Sequence, residues 1–139
     1  MALIERFKAE PSVLFATMGF WQGIDVPGDA LSCVVLDKLP FAPPDDPVVE
    51  ARLAALTRRG EDPFTAYQLP TAAIWLKQGF GRLIRTRRDR GVIAILDRRL
   101  LTHAYGRFFL ESLPPAPVTT SFAEVERFFE AAPSGGMGN

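Results

Sequence analysis

With 139 residues, 47% hydrophobic and 23% charged, the chain has the length of one compact domain and a globular composition that excludes general disorder. No apolar run approaches the roughly 20 residues of a membrane span, and a single cysteine, Cys33, excludes an internal disulfide and any four-cysteine metal or iron–sulfur site within the chain. The opening MALIERFKAE carries charge inside its apolar patch, unlike a signal peptide, so the sequence reads as a reduced, cytoplasmic protein with no membrane partner. The zero net charge hides an asymmetry. Residues 77–107 hold nine Lys/Arg against two acids, a local +7, and the remainder holds seven bases against fourteen acids, a matching −7. A basic, anion-attracting segment thus sits on an acidic body, either as an anion site or as a solvated arginine-rich face.

In chain order, residues 12–17 (SVLFAT) follow Pro11 and precede a glycine-containing segment, which predicts a buried strand. Residues 18–29, with Gly19, Gly23, Gly28 and Pro27, predict a structured loop at that strand's C-terminal end, the edge where α/β proteins usually hold ligands. Asp25 in this loop suits a sugar hydroxyl or an arginine, or simply the backbone amides of its own turn. Residues 31–36 (LSCVVL) predict a second strand with Cys33 buried in it, followed by an extended proline-rich loop, LPFAPPDDP. Asp46 and Pro47 make a helix start and Gly60 a stop, with Val49, Leu53 and Leu56 as one apolar stripe. Pro70 opens a longer helix running to about residue 87, and residues 91–96 (GVIAIL) predict a third strand. Ser121 and Glu124 form a capping box ahead of Val125, Phe128 and Phe129, and the tail 133–139 (PSGGMGN) is expected to be disordered. There is no internal repeat. Continuous apolar strands alternating with helices define an α/β architecture with a mostly parallel sheet flanked by helices. Three strands are few for such a sheet, which points to part of a larger unit.

Chemistry concentrates on the second helix. At about 100° per residue, Ala73, Leu76, Phe80 and Leu83 share one side, and Gln78, Arg82 and Arg85 fall nearly opposite, with Trp75 near that polar side. Gly79 and Gly81 interrupt this helix at up to about 1 kcal/mol each relative to alanine, which suggests close approach to the backbone. The planar guanidinium fork suits bidentate phosphate recognition, so the spacing offers a phosphate-facing arginine pair beside the plainer alternative of a solvated face. Other chemistries lack their residues. No GxxxxGK[ST] phosphate loop occurs, no carboxylate cluster suits magnesium, and Ser32 and Cys33 have no histidine partner for nucleophilic catalysis. His103 stands alone and reads as a surface or helix-start residue.

These segments resemble motifs V (FATMGFWQGIDVPGD) and VI (QGFGRLIRTRRDRGVIAILDRR) of superfamily-two helicases of the DinG/XPD-like type. LDKLPFAPPDDP and YQLPTAAIWLKQ resemble the bacterial DinG-like branch, and the likeness covers about residues 14–115. The resemblance implies a partial RecA-like fold, with residues 1–132 the C-terminal portion of the second of two motor domains and 133–139 a tail. It implies ATP with magnesium as cofactor, the metal being held by the first motor domain, and single-stranded DNA as partner. Where the parent protein carries an iron–sulfur cluster, that cluster lies outside this chain. Gln78, Gly81, Arg82 and Arg85 match the motif VI positions at the nucleotide, with Arg82 and Arg85 catalytic and Arg85 the arginine finger. Gly23 and Asp25 match motif V positions that couple nucleotide to DNA, and Thr17, Trp21 and Gln22 fall where the family touches DNA. Two positions depart: Gly19 and Gln22 stand where many members carry Ser and Glu. Arg87, Arg88 and Arg90, beside Asp89 and Gly91, read as a solvated turn or as part of a DNA footprint. The implied function is the arginine side of a helicase ATP site, inactive in isolation. The alternative is a free-standing, non-catalytic module that binds nucleic acid or docks on a motor domain.

Overall fold

The computed structural model describes residues 2–20, 26, 30–86 and 89–131. The chain opens with a surface helix α1 (Ala2–Ala9), held by local Arg6–Glu10 and Lys8–Glu5 pairs and burying no residue. A two-stranded parallel sheet, β1 (Cys33–Leu36) with β2 (Val92–Ile95), forms the centre, in register Cys33↔Val92 to Leu36↔Ile95. Between the strands lie α2 (Pro47–Arg58), a wide π turn (Phe64–Gln68) and α3 (Leu69–Leu83). After β2 come α4 (Arg99–Thr102), α5 (Gly106–Ser112) and α6 (Phe122–Glu130). No helix among the described residues is long and apolar enough to cross a membrane.

Helix α2 starts and stops as its sequence directs. Asp46 Oδ1 accepts from the Val48 and Val49 N–H groups at 2.8 and 3.2 Å, with Pro47 in the first turn. At the other end Gly60 takes φ 77°, and the N–H groups of Glu61 and Gly60 return to the carbonyls of Leu56 and Thr57 at 3.1 and 3.0 Å. That pair of bonds is a Schellman closure, which needs the left-handed conformation glycine adopts without steric cost.

The core gathers Leu36, Leu39, Leu69, Ala72, Ala73, Leu76 and Phe109, with Phe109 fully enclosed. Phe41 lies 5.7–5.8 Å, ring to ring, from Phe64, Tyr105 and Phe109, mostly edge-on, so the proline-rich loop is tied to α5 by aromatic packing. Helix α3 turns Ala73, Leu76 and Leu83 inward as expected, while Phe80 is half-buried.

Three expectations change. Residues 12–17 are not a strand. They run irregularly, with Val13 80% and Phe15 94% exposed, because no strand among the described residues pairs with them. The sheet is therefore two strands, not three. Cys33 is exposed, because β1 alternates: Val34 and Leu36 turn to the helices, and Cys33 and Val35 face outward. The Ser121 capping box does not form. Ser121 occupies the N-cap, but its side chain caps nothing, and its N–H is bound at 3.0 Å by Thr119 Oγ1 rather than by Glu124. The expected tail lies outside the described residues.

Candidate nucleotide-facing groove

The groove is built at the end of α3. Gln78 and Arg82 stand one turn apart on the helix face opposite the core, Gln78 exposed and Arg82 half-buried. The helix stops at Leu83, about four residues short of the expected end. Ile84 turns extended (φ −113°, ψ 103°), and its N–H still reaches the Phe80 carbonyl at 3.0 Å. Arg85 therefore leaves the helix. The N–H groups of Arg85 and Thr86 donate to Asp89 Oδ2 at 2.8 and 2.7 Å, where a continuing helix would have bound them to the carbonyls of Gly81 and Arg82. The Thr86 and Arg85 amides hold the Asp89 carboxyl below the usual carboxylate range.

Gln78, Gly81, Arg82 and Arg85 together line an open groove of about 460 Å³. A side chain at Gly81 would meet no atom within 4 Å, so packing within the fold does not require glycine there. Two guanidinium groups and a carboxamide suit an oxyanion such as a phosphate. They do not suit magnesium, which binds through carboxylate oxygens, and among the described residues no three His, Cys, Asp or Glu side chains cluster to hold a metal.

Of the other sequence candidates, Thr17 is exposed and its carbonyl accepts from the Phe20 N–H at 2.9 Å. Trp21, Gln22, Gly23 and Asp25, and likewise Arg87 and Arg88, lie outside the described residues. His103 is exposed just past α4, with Nδ1 3.0 Å from Thr102 Oγ1. Arg90 is engaged within the fold rather than simply solvated. Its guanidinium donates to the carbonyls of Phe128 and Ala131 and lies over the Phe128 ring at 4.2 Å, which fastens the C-terminal end of α6 beside the groove loop.

Sequence reasoning missed a second anchor. Asp97 Oδ2 accepts from the Leu39 N–H at 2.9 Å and from Arg99 Nη2 at 2.6 Å. Arg99 in turn lies 5.4 Å from the Phe41 ring centre. Its bond to Arg99, with those from the Leu39 and Arg99 amides, holds the Asp97 carboxyl well below the usual range. The signal was an Asp-x-Arg immediately after an apolar strand.

The described residues thus form a small α/β unit that presents an arginine-lined groove from the end of a helix. Residues 1–116 match the family model for helicase C-terminal domains, and the chain belongs to that family, as a segment of the DinG/XPD-like type. It is 53% identical over 133 residues to the ATP-dependent DNA helicase YoaA of Escherichia coli, covering 95% of this chain and 21% of that protein. It is 47% identical over 124 residues to the ATP-dependent helicase DinG of Mycobacterium tuberculosis, covering 88% of the chain and 19% of that protein. Likeness extends to the 3'-5' exonuclease DinG of Bacillus subtilis, 43% identical over 124 residues, 88% of the chain and 13% of that protein. The chain thus spans about a fifth or less of the length of these relatives.

Proposed function

We propose that this chain is the C-terminal motor segment of an ATP-dependent DNA helicase, a partial RecA-like domain that supplies the arginine side of a nucleotide site shared with a first motor domain. The observation that carries the reading is the convergence of Gln78, Gly81, Arg82 and Arg85 on one open groove, although they come from two differently folded segments. Arg85, in the extended segment, is the arginine finger. Its guanidinium reaches the γ-phosphate oxygens and stabilises the charge that builds on them as the phosphoryl group leaves. Arg82 holds the same phosphate from the helix, and Gln78 orients the group with its amide. Gly81 lets the nucleotide approach the backbone. Magnesium would be held by carboxylates of the first motor domain, where it would supply offsetting charge to the phosphates. Gly23 and Asp25 couple nucleotide occupancy to the DNA grip, and Thr17, Trp21 and Gln22 contribute to the single-stranded DNA track.

The split site makes a direct prediction. ATP turnover by the isolated chain, with and without single-stranded DNA, stays at background, because the sequence holds no GxxxxGK[ST] loop to cradle the β-phosphate. DNA-stimulated hydrolysis by the pure chain would overturn the shared-site reading.

A further inference from the structure

We propose that Asp89 is the positioning residue of this groove: its carboxylate holds the chain out of the helix at Arg85 and so sets where that guanidinium stands relative to Gln78 and Arg82. The inference rests on the reading of Arg85 as the phosphate-facing arginine. One oxygen, Oδ2, receives two consecutive backbone N–H groups, from Arg85 at 2.8 Å and Thr86 at 2.7 Å, and the Asp89 N–H returns a bond to the Thr86 carbonyl at 3.2 Å. These charge-assisted bonds satisfy the donors that would otherwise prolong α3. The competing conformation is a further turn of helix, with the same N–H groups bound to Gly81 and Arg82. In that state Arg85 would sit on the helix cylinder beside Arg82. Only the extended segment brings it to the groove from a second direction. Asp89 does not line the groove, so it acts through Arg85.

The test is a double-mutant cycle on steady-state ATP hydrolysis at saturating single-stranded DNA, in the full-length polypeptide that carries this segment. A misplacement of about 1 Å costs on the order of 10²-fold in rate. Asp89→Ala should therefore lower kcat by roughly that factor, with KM for ATP within about two-fold. Asp89→Asn keeps an acceptor oxygen without its charge, and should recover about ten-fold of the loss. In an Arg85→Ala background, Asp89→Ala should cost nothing further, because its effect runs through the lost side chain. An equal additional loss in that background overturns the positioning role, as does wild-type kcat in both Asp89 variants while Arg85→Ala is slow. Wild-type kcat in Arg85→Ala itself overturns the reading of the groove and the positioning role with it. Should Asp89→Ala fail to fold, the Asn variant still decides: an intermediate kcat supports the role, and an unchanged one refutes it.

Discussion

Asp97 ties three parts of the chain through one carboxylate: the end of β2, the start of the proline-rich loop at Leu39, and Arg99 on α4. Its side chain is only 8% exposed, and Leu39 beside it is 3% exposed, so removing the acceptor strands a buried N–H. Asp97→Ala should destabilise the fold by about 1–3 kcal/mol, the usual cost of an orphaned buried donor, as read from urea denaturation at neutral pH. The pH dependence follows from the direction of the shift. A carboxyl held below its unfolded value stabilises fully above about pH 4 and loses that contribution as pH falls toward the lowered folded value. Wild-type stability should thus decline below about pH 4, and Asp97→Asn should flatten that decline while keeping an acceptor for Leu39. An acid limb as steep in the Asn variant as in the wild type would assign the decline to other carboxylates. The Asp-x-Arg spacing signals the local Arg99 partner, but the Leu39 bond was not legible, because it is set by tertiary contact across 58 residues.

The elements that local chemistry governs were readable. Asp46–Pro47 and Gly60 bound α2 because their signals act within a turn and meet no competitor. At the end of α3 the periodicity continued, but the Asp89 carboxylate captured the amides of Arg85 and Thr86 and ended the helix early. At α6, Thr119 took the N–H that Glu124 was expected to bind. Competition among short polar side chains is what sequence spacing alone did not resolve. Two elements carry predictions. A side chain on Gly106 would stand 1.8 Å from the Leu100 carbonyl oxygen, a backbone atom with little room to yield. Gly106→Ala should therefore push α5 off α4, drawing Phe109 from the core, at about 3 kcal/mol by chemical denaturation. A loss under about 0.5 kcal/mol would mean that α4 and α5 are not packed so closely. No residue of α6 is buried, and Arg90 fastens its end, so Arg90→Ala should raise hydrogen exchange at the α6 amides while leaving that of α3 unchanged. Unaltered exchange at α6 would show that its apolar contacts suffice.

At the scale of the whole molecule, the parallel pairing of residues 33–36 with 92–95 was legible, because apolar runs survive translation into structure. The four groove residues were grouped by a helical spacing that Arg85 does not keep, and the helices α1, α4 and α5 were not foreseen. The third strand was expected but does not form. Its apolar composition was read correctly, but composition does not supply a neighbour, and Val13 and Phe15 stand exposed with Val35 on the outward face of β1. Such surface favours association. The isolated chain should show a weight-average mass that rises with concentration in sedimentation equilibrium. A constant monomer mass, with a melt above about 60 °C independent of concentration, would mark a self-sufficient module instead. The central claim concerns Arg85, and single-turnover ATP hydrolysis by the full-length polypeptide at saturating DNA tests it most directly. Arg85→Ala should slow the chemical step by roughly 10³-fold or more, as loss of an arginine finger does, while ATP affinity changes little. An unchanged rate, or a loss confined to affinity, would contradict it.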